Sequence, residues 1–277
     1  MTGRLHGQVA LITGAARGQG RSHAIELAKE GADIIAIDIC EDLDMAYPPA
    51  TDEDLAETVR LVEALDRRVH AATADVRDEA VLTAAVGAGV AELGRLDIAV
   101  ANAGIGSAPF ATTDLPAEIW RTMLDINLTG VWLTAKAATP HILEGGRGGS
   151  IVVISSVAGI RPLANIAHYA AAKAGGVQLM KSLAAELGPH GIRVNSIHPT
   201  NVNTDMILND TMYSLFRPDL ESPTLADFEA AATTTHVLPI PYVEAIDISN
   251  AVLFLVCDTG RYVTGVSLPI DGGMVIK

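Results

Sequence analysis

Gln8-Val-Ala-Leu-Ile-Thr-Gly14-Ala-Ala-Arg17-Gly18-Gln19-Gly20 is the stretch on which the reading of this chain turns. An apolar run over 8–14 reads as a strand, and the Ala- and Leu-bearing run over 18–31 reads as a helix. Between them the glycines are spaced G-x-x-x-G-x-G, a variant of the dinucleotide-binding fingerprint. Gly14 permits the tight turn, and Gly18 lets the backbone approach a pyrophosphate. Gly20 lets the helix pack close to the strand. With Arg17 and Gln19 they form a turn that delivers the free N–H groups of a helix N-terminus to phosphate.

Outward from this turn the same rhythm repeats. Residues 33–38 form a second strand, followed by a helix over 55–68, a strand over 69–75, a helix over 78–93 and a strand over 96–101. Two long helices, near 127–143 and 168–187, straddle a strand at 150–155, and strands at 192–198 and 266–270 complete the set. Repeated β–α units predict a single-domain α/β Rossmann fold spanning 1–277, a doubly wound parallel sheet of about seven strands flanked by helices. Asp38 ends the second strand, where a carboxylate accepts hydrogen bonds from the adenosine ribose and repels a 2′-phosphate, so NAD is expected over NADP. Arg17 argues the other way but is expected to be simply solvated. Two segments break the rhythm: an acidic insert at 39–54 containing Pro48 and Pro49, and a substrate-loop segment at 200–242. Long excursions of this kind are commonly lids or binding loops.

Composition agrees and excludes other classes. Of 277 residues 49% are apolar but only 4% aromatic, so the core must be aliphatic, as in strands covered on both faces. A net charge of −14 argues against nucleic-acid or anionic-membrane partners. Cys40 and Cys257 make neither a disulfide framework nor a zinc site, and the eight histidines contain no H-x-x-x-H pair, so no metal is expected. His168 and His198 read as packing or polar lining. Residues 1–10 lack a signal-peptide core, and no run approaches the ~18 apolar residues of a membrane helix. The expectation is a cytoplasmic protein.

Tyr169-Ala-Ala-Ala-Lys173 places a phenol and an ammonium on one helix face. A free tyrosine, with a pKa near ~10, is a poor base at neutral pH, and a neighbouring cation favours its ionised form. Ser156, just after the strand at 150–155, is placed to hydrogen-bond an oxygen whose charge changes during reaction.

Taken in order, Thr13-Gly-Ala-Ala-Arg-Gly-Gln-Gly20, Ala101-Asn-Ala-Gly104, Asn127, Ser156, Tyr169 and Lys173 resemble the short-chain dehydrogenase/reductase family, over essentially the whole chain. The resemblance implies an oxidoreductase passing a hydride between nicotinamide and a secondary alcohol or ketone. Tyr169 would be the general acid/base. Lys173 would bind the nicotinamide ribose and lower the tyrosine pKa, Ser156 would hold the substrate oxygen, and Asn127 would position a proton-relaying water chain. Asn102, Ala103 and Gly104 would line the adenosine–ribose side, with Ile39 beside Asp38 and with Asp75 and Val76 flanking the adenine. Pro199, Val202 and Thr204 match the segment that contacts the carboxamide, while Thr200 stands where many members have glycine. The runs 17–23, 38–40 and 199–206 are similar to the actinobacterial carveol-dehydrogenase-like subgroup, which is associated with the electron carrier mycofactocin. The resemblance further implies a homotetramer, and the two long segments suggest that the cofactor is held tightly. The competing class is a non-catalytic nucleotide-sensing regulator on the same fold, which would tend to lose the tyrosine or lysine; this chain keeps both.

Overall fold

The computed structural model describes residues 3–43, 45–106 and 108–277. Asp44 of the expected insert, together with Ser107, Met1 and Thr2, lies outside the described residues. Seven parallel strands, β1 (Val9–Thr13), β2 (Asp33–Asp38), β3 (Val69–Thr73), β4 (Ile98–Ala101), β5 (Gly149–Ile154), β6 (Ile192–Pro199) and β7 (Ser267–Ile270), form one sheet. Their order is β3-β2-β1-β4-β5-β6-β7. The order reverses between β1 and β4, and in such sheets the crevice beyond the strand ends at that point is where ligands bind.

Alternation along each strand builds two cores. Val9, Leu11, Ile35, Ile37, Ile151, Val153 and Val194 face one way, toward α3 (Glu79–Leu93), α5 (Gly130–Gly145) and α6 (Ala167–Leu187). Ala10, Ile12, Ile34, Ala36, Val152 and Ile154 face the other, toward α1 (Gly18–Lys29), α2 (Asp52–Glu63) and α9 (Ala245–Val256). Successive side chains of a strand point to opposite faces, so near-continuous apolar runs are what a doubly covered sheet requires.

Helix boundaries depart from the sequence expectation where caps decide them. α2 begins at Asp52 rather than 55, because Thr51 and Asp54 make a reciprocal capping box, and it stops at Glu63 rather than 68. The helix expected near 127–143 is preceded by α4 (Ala117–Leu124) and joined to it by one wide turn, Asp125–Thr129, closed by Gly130 N–H donating to the Asp125 carbonyl. Such π-type turns concentrate at functional sites, and this one carries Asn127. The 200–242 segment is not a bare loop: it contains α7 (Asp210–Phe216) and α8 (Leu225–Thr233). Fully buried Phe228 meets Tyr213 and Phe216 at ring centroid distances of 5.4 and 4.9 Å, giving this hairpin its own small aromatic core.

Candidate active site

The glycine turn is built as its spacing demands. Gly14 takes φ +69°, and a Cβ at Gly20 would lie 1.9 Å from the Gly14 carbonyl oxygen, so neither position tolerates a side chain. Asn102 holds the turn from β4, its Nδ2 donating to the carbonyls of Thr13 (2.9 Å) and Gly14 (3.1 Å). Asp38 is buried, and its carboxylate accepts from the N–H groups of Ala16 and Ile39, both at 2.8 Å. One cleft collects Gly14, Arg17, Gly18, Gln19, Gly20, Asp38 and Ile39 together with Asp75, Val76, Asn102, Ala103, Gly104 and Thr204. Thus thirteen positions named from the sequence as cofactor-binding share one wall.

The cleft fits a dinucleotide. Gln19 Oε1 is buried without a hydrogen-bond partner among the described residues, and the first turn of α1 carries no acidic side chain to compete for its N–H groups. Arg17 is not solvated as expected. It pairs with Asp205 at 3.2 Å, donates to the Pro48 carbonyl and lies 5.6 Å from the Tyr47 ring centroid. Its charge is therefore committed to joining the 39–54 insert to the segment after β6.

Beside the cleft opens a cavity of about 430 Å³, predominantly apolar, into which Ser156 and Tyr169 project. Pro199 and Val202 line it from the end of β6, and Leu163, Ile166, Met206, Met212, Leu215 and Phe216 supply much of its apolar surface. Ser156 faces the Tyr169 hydroxyl across the same cavity wall. Burial pushes the phenol up to about 12, against which Ser156 acts to lower it. Lys173 is buried, lies 5.6 Å from the Tyr169 ring centroid and donates to the Ile154 carbonyl at 3.1 Å; burial brings its ammonium down to about 8. Burial thus works against the lowering of Tyr169 that the resemblance implied for Lys173, because removing both groups from water costs their charged forms.

Asn127 comes to the same point from the wide turn. A Cβ at Gly104 would stand 3.0 Å from Asn127 Oδ1 and 3.3 Å from Lys173 Nζ. Its amide is spent on Ile105, accepting from the N–H and donating to the C=O, each at 2.8 Å, so the side chain fixes the loop after β4. His198, expected as polar lining, donates from Nδ1 to the Ser156 carbonyl at 2.8 Å and thereby fixes the serine's backbone. His168 is fully buried and meets Phe110 edge-on. Thr200, the departure from glycine, donates its N–H to the Ile270 carbonyl, and its hydroxyl meets His236 Nε2 at 2.6 Å, tying β6 to the end of the α7–α8 hairpin. Sequence reasoning missed Met45, Tyr47, Thr235 and Met274 in the cavity wall. Tyr47 carried a signal, as one of few aromatic residues, set in an otherwise acidic insert.

Fold and site together define a Rossmann-type dinucleotide-binding protein with a Ser–Tyr–Lys centre. The family model for short chain dehydrogenase matches residues 8–212, and the chain belongs to that family. It is 59% identical over 275 residues to a (−)-trans-carveol dehydrogenase of Rhodococcus erythropolis, covering 99% of each chain. Carveol dehydrogenase from Mycobacterium avium, solved in complex with NAD, superimposes with a TM-score of 0.99 at 58% identity over the whole of both chains. A short chain dehydrogenase from Mycobacterium paratuberculosis bound to NAD gives a TM-score of 0.90 at 47% identity, covering 99% of this chain and all of the other.

Proposed function

We infer that this protein is an NAD-dependent short-chain alcohol dehydrogenase that interconverts a secondary alcohol and its ketone, with Tyr169 as the general acid/base. The observation that carries the reading is the Tyr169–Ser156 pair at the wall of an apolar cavity, next to a cleft whose ribose end is set by the Asp38 carboxylate. NAD, when bound, supplies the hydride acceptor. Tyr169 takes the alcohol proton in oxidation and returns it in reduction, while Ser156 holds the reacting oxygen in reach. Lys173 contributes charge beside the phenol and a donor to the cofactor ribose. Any proton relay at Asn127 runs through its main chain, since its amide is occupied by Ile105.

Asp38 supports NAD over NADP, and the commitment of Arg17 to Asp205 and Pro48 removes the nearest candidate for a 2′-phosphate. The apolar cavity, with the likeness to carveol dehydrogenases, supports a compact cyclic terpenoid alcohol such as carveol as substrate. We further propose a homotetramer in the cytoplasm, served by a mycofactocin-type electron carrier because the cofactor is slow to leave. Among the described residues no helix is long and apolar enough to cross a membrane.

The test is reduction of NAD, or of a dye electron acceptor, by a panel of secondary alcohols. Tyr169→Phe should fold, retain cofactor and lose at least ~10²-fold in turnover. Near-native turnover by that variant would remove Tyr169 from the role.

A further inference from the structure

The insert after β2 reaches beyond the adenosine end. Tyr47 lines both the dinucleotide cleft and the substrate cavity. Its ring faces the Arg17 guanidinium on the cleft side, 5.6 Å from the centroid. Its hydroxyl accepts from the Gly106 N–H at 3.2 Å, and Gly106 lines the substrate cavity. Met206 closes in from the segment after β6: a Cβ at Gly106 would meet Met206 Cγ at 3.3 Å and Tyr47 Cε1 at 3.9 Å. The ring therefore spans the boundary between the two spaces, with its polar tip on the substrate side. A phenol that accepts one hydrogen bond keeps a proton to donate, and the described residues supply no acceptor for it. Burial raises the Tyr47 pKa, so the group is a neutral donor at working pH.

We propose that Tyr47 is a specificity-determining residue: its ring closes the substrate cavity toward the cleft, and its hydroxyl donates to a second oxygen on a compact alicyclic secondary alcohol. The inference rests on the dehydrogenase reading and narrows its substrate class: carveol, with a single oxygen, should be a poorer substrate than a relative of similar size that carries a second one. An analogue without that oxygen leaves a partly buried donor unmet, and sites built to hydrogen-bond a substrate group discriminate strongly against analogues lacking it.

The test compares kcat/KM for cyclohexanol with that for cyclohexanols bearing a second hydroxyl or keto group, on the holoenzyme. The wild type should favour the oxygenated substrates by about ten-fold or more. Tyr47→Phe should bring that ratio close to one. Tyr47→Ala should do the same and also raise the ratio of bulky bicyclic to monocyclic alcohols. Both substrates are assayed on one preparation, so partial unfolding or partial cofactor loss cancels from each ratio. Should Tyr47→Ala fail to fold, Tyr47→Phe still decides the hydroxyl's part. A wild-type ratio that survives Tyr47→Phe overturns the proposal while leaving the dehydrogenase reading intact. A wild type inert toward the whole series and toward a panel of terpenoid secondary alcohols, with NAD and dye alike, overturns both.

Discussion

Tyr169 sits against the aliphatic core beneath the sheet, where its ionised form has little water, and burial carries its pKa to about 12. If Tyr169 is the proposed general base, oxidation draws on the phenolate and should speed up as pH rises, whereas ketone reduction draws on the phenol and should not. Ser156 is the group that pulls the value back down. Ser156→Ala should therefore lower kcat/KM for oxidation and displace its pH profile to the alkaline side, which a pH–rate series would read directly. An unshifted profile would mean that Ser156 acts on the substrate oxygen alone. Asp38 makes a second case. Deleting its side chain would leave the Ala16 and Ile39 N–H groups without their acceptor, at a cost of about 1–3 kcal/mol, so Asp38→Ala mixes stability with selectivity. Asp38→Asn keeps an acceptor and removes the charge. It should raise the NADP/NAD ratio of kcat/KM by roughly ten-fold, equivalent to about 1.4 kcal/mol; a wild type that already selects NADP would refute the role given to Asp38.

The insert and the segment after β6 are joined across the mouth of the cleft by one side chain. Arg17 reaches Pro48 and Tyr47 on one side and Asp205 on the other, contacts that would slow the release of a cofactor held in the cleft they line. Affinity differences between related complexes appear mostly in dissociation. Protein purified without added nucleotide should release NAD on denaturation, and Arg17→Ala should lose most of it during dialysis; wild-type protein that is empty as purified yet turns over freely exchanged NAD would refute trapping. This arrangement could not be read in advance, because Arg17, Tyr47 and Asp205 are distant in sequence and share no period. What was legible were elements with a period and a local signal: β1 through its apolar run, α1 through its glycines, and the Tyr169/Lys173 pair through helical spacing. The start of α2 was also legible, in Thr51 and Asp54, but lies three residues before the first apolar position that marks the stripe. α7 is seven residues long and depends on Asn209 for its cap and on Phe228 for its packing, so its segment showed no helical stripe of its own. α9 is apolar on most of its surface because it lies between α1 and the sheet, which blurs the periodicity that distinguishes helix from strand.

Across the molecule, apolar surface remains where neither core can use it. Trp120 on α4 and Trp132 and Leu143 on α5 are exposed, and so are Ala171 and Ala174 on α6. A second group lies at the edge of the sheet, where Tyr262 is 89% exposed and Val266 and Phe254 are also open. Two separate patches on one chain permit two isologous contacts, and two perpendicular two-fold axes give a tetramer. Association would bury the exposed remainder of these side chains, at about 25 cal/mol per Å² of apolar area. Opposing this is a net charge of −14 on every copy, a repulsion that reaches about 10 Å at 0.1 M salt and less as salt is added. Association should therefore strengthen with ionic strength, the reverse of an interface held by ion pairs. Sedimentation equilibrium at micromolar concentration should give the tetramer. Trp132→Glu, which buries a new negative charge in one patch only, should halve the assembly to a dimer and make the remaining tetramer strongly dependent on salt. Because Trp132 lies outside the residues lining the cleft and the substrate cavity, the dimer should still bind NAD. A wild type that sediments only as monomer would refute the assembly, and a Trp132→Glu variant that stays tetrameric at low salt would move the contact away from α5.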